Sequence, residues 1–77
     1  GYTKDKNAVY CDLKLIKGAN PKTFEVLARK HARDDKHIYY LQQTMSCDYA
    51  SFKLDPTLDY LSSDKDNKYS RGVIVSD

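Results

Sequence analysis

The sequence holds no tryptophan, one methionine, two cysteines, two prolines and three glycines in 77 residues. So little glycine and proline excludes a collagen-like chain or a flexible linker. No apolar run approaches the ~20 residues that a membrane span needs. No cluster of Lys and Arg forms a phosphate track. Thirteen basic side chains are interleaved with 11 acidic ones, for a net charge of +2, so nucleic acid is not an expected partner. No signal peptide is visible. Residue 1 is Gly rather than Met, as suits a processed form or a piece of a longer chain, so the missing leader says nothing about compartment.

What is present is the composition of a folded chain: 40% hydrophobic and 31% charged, which argues against disorder. Residues 1–77 make a single domain. A core of this size supplies only ~3–5 kcal/mol of net stability, so a staple, a partner or neighbouring repeats are expected to help. Seven tyrosines and two phenylalanines supply the aromatics. Tyrosine packs an apolar face while keeping its hydroxyl wet, which suits half-buried sheets and interfaces.

The chain repeats itself, a pattern that decides the fold when it is present. Asp5-Lys6-Asn7-Ala8-Val9-Tyr10 has the form of Asp34-Asp35-Lys36-His37-Ile38-Tyr39, 29 residues later. Asn20-Pro21-Lys22-Thr23-Phe24-Glu25-Val26 matches Asp48-Tyr49-Ala50-Ser51-Phe52-Lys53-Leu54 after a shift of 28. A truncated third copy holds Asp64 and Tyr69, then Val73-Ile74-Val75. The units are 2–30, 31–60 and 61–77.

This pattern resembles the DKNYY family of bacterial repeat proteins, mostly of unknown function. Its units carry Asp-Lys-Asn-x-Val-Tyr-Tyr and then Gly-Ala-Asp-Pro-x-Thr-Phe-x-Val-Leu. The first unit is close to that form: Asp5-Lys6-Asn7-Ala8-Val9-Tyr10, then Gly18-Ala19-Asn20-Pro21-Lys22-Thr23-Phe24-Glu25-Val26-Leu27. The second unit lacks the Gly and Pro and has Cys47, and the third keeps Asp64-Lys65 and Tyr69. The resemblance carries no general activity. It implies a cell-envelope or secreted location.

Each unit reads as a turn and a hairpin. Asx side chains bond backbone two residues on, and β-branched–Tyr pairs form strands. The expected fold is mainly β with short helical turns (α+β remains open). Each ~29-residue repeat is then a β-hairpin plus a capped helical turn. In that turn Asn20 is the cap, Pro21 the first helical residue, and Phe24 points to the core. Asp55-Pro56-Thr57-Leu58 has the same start and would run as a short helix towards Leu61. Phe24, Leu27, Ala28 and His31 also share helical spacing, so a helix from Pro21 to Arg33 competes with strands there. The expected core is Val9, Leu15, Ile16, Phe24, Val26, Leu27, Ile38, Tyr40, Met45, Phe52, Leu54, Leu58 and Ile74, with Tyr10 a further candidate.

No residues form a recognisable active site, so no enzyme, cofactor or metal site is expected. Cys11 and Cys47 match no zinc spacing. A disulfide between them would stabilise by ~3–4 kcal/mol; two separate buried thiols are the equal alternative. His31 and His37, six apart, fit neither a helix face nor a compact strand site. Asp64-Lys65-Asp66-Asn67 starts a calcium-like pattern and then fails. The repeat-signature residues are Asp5, Val9, Tyr10, Phe24, Asp34, Ile38, Tyr39, Phe52, Asp64 and Tyr69, with a structural role first. Tyr2, Tyr49 and Tyr60 lie outside that register and are the candidates for partner contact. An open sheet edge invites another chain. The expected function is a non-enzymatic protein-binding or structural module, acting on a protein partner or through self-association at a sheet edge. The alternative is an immunity or inhibitor protein that neutralises a toxin or enzyme.

Overall fold

Short runs of β-branched and tyrosine residues between Asx turns have one stable use, the middle strand of a small antiparallel sheet. The computed structural model describes residues 1–75, so the last two positions of the third unit lie outside the described residues. The first sheet joins β1 (Tyr2–Lys4), β2 (Val9–Cys11) and β3 (Lys14–Leu15). The second joins β4 (Glu25–Val26), β5 (His31–Arg33), β6 (Ile38–Tyr40) and β7 (Gln43–Met45). The third joins β8 (Lys53–Leu54), β9 (Leu61–Ser63), β10 (Lys68–Ser70) and β11 (Val73–Val75). The fold is therefore mainly β, and no helix occurs among the described residues.

The register is the same in all three sheets. Thr3 faces Tyr10, Ala32 faces Tyr39, and Ser62 faces Tyr69. The backbone closes each strand pair alike: Asp12, Leu41 and Arg71 donate their N–H to the carbonyls of Gly1, Lys30 and Tyr60.

The second sheet lies between two apolar clusters. Val9, Cys11 and Ile16 meet Phe24, Ala32 and Tyr39 in one. Ile38, Tyr40 and Met45 meet Tyr69 in the other, with Phe52 and Cys47 packed against them. Alternate residues of a strand point to opposite faces, so β6 is buried on both sides. Three layers about 10 Å apart account for a molecule 39 Å long and 21 × 19 Å across.

Several sequence expectations need correction. The capped segments are single turns, not helical ones. Thr23 N–H bonds the Asn20 carbonyl at 3.2 Å, and Phe24 then leads straight into β4. The Asp55 turn likewise gives way to β9 without a helix. The Pro21–Arg33 helix is replaced by β4 and β5. Phe24 packs towards the first sheet and His31 against Tyr40 and Phe52, so their helical spacing marks no common face. Leu15, Val26, Leu58 and Ile74, expected in the core, are exposed. Leu15 and Ile16 are adjacent on an extended chain, and only Ile16 can point inward. Leu27, Phe52 and Leu54 are half-buried. Cys11, Ala32, Tyr39, Tyr69 and the polar His31, Asp34 and Ser62 are buried instead.

The second turn of each hairpin is two residues long. Asp12-Leu13 and Arg71-Gly72 have positive φ at both positions, the hand that matches strand twist. At Gly72 the φ is 78°, and an added Cβ would lie 2.7 Å from the Tyr40 Cβ. Glycine lets the third sheet close onto the second.

Candidate functional site

Each sheet begins its first hairpin with an aspartate. The Oδ1 of Asp5 accepts the N–H of Asn7 and Ala8, at 2.8 Å each. Asp34 Oδ1 accepts from Lys36 and His37, and Asp64 Oδ1 from Asp66 and Asn67. These are Asx turns, and they explain why Asp recurs at this place.

The second oxygen does something different. Asp34 Oδ2 accepts the N–H of Asn20 at 3.0 Å and the hydroxyl of Tyr39 at 2.6 Å. Asp64 Oδ2 accepts the N–H of Asp48 and the hydroxyl of Tyr69. Asn20 and Asp48 belong to the capped turn of the preceding sequence segment, so this oxygen fastens one segment to the next. A hydroxyl adds a second stitch. Thr23 Oγ1 accepts the Asp35 N–H, and Ser51 Oγ accepts the Lys65 N–H. The strand after each turn then pairs onward, β4 with β5 and β8 with β9.

Electrostatics follow this geometry. Burial pushes the Asp34 carboxyl up. The Tyr39 hydroxyl and the N–H groups of Asn20, Lys36 and His37 more than offset that and hold it at about 2. Asp64 is held well below the usual carboxylate range, first by the Asp48 N–H and then by Tyr69. Burial, then the Asp64 carboxylate, pushes the Tyr69 hydroxyl up to about 12. Tyr39 is raised for the same reasons, with Asp34 as partner.

The remaining sequence candidates are dispersed. Cys11 and Cys47 are free thiols in different apolar clusters, so the structure does not bring them together. Burial raises the Cys47 thiol to about 11, which opposes nucleophilic use at neutral pH. Tyr2 donates its hydroxyl to the Lys30 carbonyl, and Tyr49 to that of Asp34. Tyr60 lies under the Arg71 guanidinium. The three tyrosines are thus engaged separately and form no common patch. Val9 and Ile38 fill the two clusters. His31 is buried with both ring nitrogens unpaired, and desolvation lowers its pKa. Its burial had no signal in the sequence beyond its place three residues before Asp34, as Tyr2 stands three before Asp5. No group of three metal-ligating side chains occurs among the described residues, and no helix among them is long and apolar enough to cross a membrane.

The exposed features are strand edges. The edge strand β11 shows Val73, Ile74 and Val75, the first 60% exposed. Among the described residues the edge strand β1 pairs only with β2, and Tyr10 is half-buried on the outward side of that sheet.

A family model for the DKNYY family matches residues 1–44. No curated protein and no solved structure matches the chain.

Proposed function

Because the chain belongs to the DKNYY family, we propose that it is a non-enzymatic protein-binding or structural module of a bacterial cell-envelope or secreted protein. It is built as three like units in tandem, over 2–30, 31–60 and 61–77. The observation that carries this reading is the fastening at Asp34 and Asp64. Two carboxylates 30 residues apart receive the same four kinds of donor, and each ties its sheet to the segment before it. The described residues thus spend their buried aspartates and tyrosines on holding units together. Repeat proteins of this kind gain stability from neighbour contacts and act through extended surfaces.

The surface offered to a partner is the strand edge. Three consecutive aliphatic residues on an exposed edge strand are a ready template for pairing with another chain. Sedimentation velocity over a concentration series tests this. The wild-type chain is expected to associate, and the double variant Val73→Lys, Ile74→Lys to stay monomeric. A wild-type chain that is monomeric throughout removes self-association from the reading. A turnover found by broad screening and lost in Cys47→Ala or His37→Ala would overturn the non-enzymatic assignment. A single tight complex with one enzyme, at standard interface area, would move the assignment to an inhibitor.

A further inference from the structure

The second hairpin of each sheet closes on a two-residue turn, and in the first sheet one residue of that turn does nothing for the fold. Leu13 lies at a φ of 69°, in the left-handed region that glycine and asparagine visit and leucine avoids. Gly72 holds the same place in the third sheet. Leu41, also at positive φ, packs against both apolar clusters, so burial offsets its strain. Leu13 is 95% exposed and gains no such return. Leu15, two residues on, is 57% exposed. This exposure does not come from the first sheet's place in the chain. Gln42 and Thr44 hold the same two places in the second sheet, which has a sheet before it, and both are exposed. The second sheet puts polar residues there, the first puts leucines. A strained turn that carries an exposed aliphatic side chain marks a demand from outside the fold.

Charge indicates what that demand is. Residues 1–30 hold seven Lys and Arg against three Asp and Glu, a net +4. The whole chain is at +2, so residues 31–77 are at −2. The two leucines stand on the basic part. Lys14 and Lys17 lie beside them in sequence, and both are exposed. Lys14 is opposite Cys11, on the side where the second sheet brings Arg29 and Lys30 near Asp12 and Val26. The turn therefore projects a leucine from a basic surround. A protein partner would need a shaped, desolvated pocket around such an anchor. A bilayer needs no matching shape: its acyl boundary accepts the leucine and its phosphates accept the cations.

We propose that the turn at Leu13, with Leu15, Lys14 and Lys17, is a docking point for a lipid bilayer that carries anionic headgroups. Leu13 and Leu15 enter the boundary between headgroups and acyl chains. The long side chains of Lys14, Lys17 and Arg29 keep their charges at the level of the phosphates. The acidic remainder of the chain is repelled by the same surface, which orients the molecule with its first sheet towards the lipid. Two leucines and a few cations give reversible attachment rather than insertion. The proposal goes beyond the strand-edge reading and does not rest on it, since β11 belongs to another sheet.

The chain has no tryptophan, so Leu13→Trp places a single fluorescent reporter at the turn. Its emission is expected to shift to the blue with vesicles of equal parts phosphatidylglycerol and phosphatidylcholine, and to stay unchanged with phosphatidylcholine alone. Cosedimentation of the wild-type chain with the anionic vesicles should weaken about tenfold or more at about 0.5 M salt, where headgroup charge is screened. Leu13→Gly should bind those vesicles about tenfold or more weakly, the loss expected from one unburied leucine. Its thermal midpoint should rise by a few degrees, because glycine relieves the turn. No blue shift, equal binding to both kinds of vesicle, or full binding by Leu13→Gly would each overturn the proposal. A lowered midpoint in Leu13→Gly would also overturn it, by making the leucine a part of the fold. Self-association in lipid-free buffer that Leu13→Gly abolishes would overturn it in favour of a second copy of the chain.

Discussion

The second sheet and the first share register and signature residues, yet they are held by different amounts. In the second, Ile38, Tyr39 and Tyr40 are all buried; in the first, Val9 and Cys11 are buried and Tyr10 is half open. Asp34 is 2% exposed and takes four donors, whereas Asp5 is exposed and takes two. The same sequence motif therefore has two energetic roles. Alone it is an Asx turn. With a neighbour in front of it, it is also the joint between layers, because a carboxylate has a second oxygen to share.

The largest expected contrast is between the two tyrosines. Tyr39→Ala removes a buried ring and strips a donor from a buried carboxylate, and should cost ~3–5 kcal/mol. Tyr10→Ala, half open and without a hydroxyl partner, should cost well under half of that. Urea denaturation of both variants measures the difference, and equal losses would break the comparison.

Next comes the contact between the second and third sheets. Gly72→Ala places a methyl group 2.7 Å from the Tyr40 Cβ at a φ of 78°. Overpacking and a left-handed non-glycine residue together should cost ~2–4 kcal/mol. Arg71→Ala, at the neighbouring position, removes only the stacking on Tyr60 and should cost under ~1 kcal/mol.

A smaller effect comes from acid. His31 sits where Leu61 sits in the third sheet, desolvated, with Asp59 only partly offsetting the burial. Its folded pKa is lowered, so the unfolded chain takes up a proton first. Stability should therefore fall as pH drops below about 6.5. Asp34, held at about 2, adds a separate loss between about pH 4 and pH 2, as its carboxylate is protonated. His31→Leu should abolish the upper limb, leave the lower one, and raise stability at neutral pH by ~1 kcal/mol, since both buried nitrogens lack partners. Thermal unfolding across pH 2–8 separates the two.

The hairpins were legible in the sequence because Asp, a β-branched residue and Tyr each state a local preference. β5 and β6 fall where His31–Arg33 and Ile38–Tyr40 put them. What sequence could not show is set by neighbours. β4 and β8 are two residues long, too short for any periodicity, and exist because the next sheet offers an edge. Burial of Ala32, Tyr39 and His31 on both faces of the second sheet follows from stacking, which no single unit records. Leu15 looks like a core residue, yet opposite Tyr10 it takes the outward side of a strand that nothing covers, and Ile74, opposite Tyr69, is left 54% exposed on an edge strand. The dual use of Asp34 was equally hidden. Its turn role is local, but its second oxygen is satisfied by Asn20, 14 positions earlier.

The most direct measurement is the stability of Asp5→Asn, Asp34→Asn and Asp64→Asn under one set of conditions. Asn keeps the turn-accepting oxygen but turns an amide towards the donors that Oδ2 receives. At position 34 this should cost about 3 kcal/mol, since charged hydrogen bonds are lost and buried donors are left facing one another. The loss at 64 should also clearly exceed that at 5, where no second oxygen is in use. Three equal losses would contradict the account, because the aspartates would then be turn formers and nothing more.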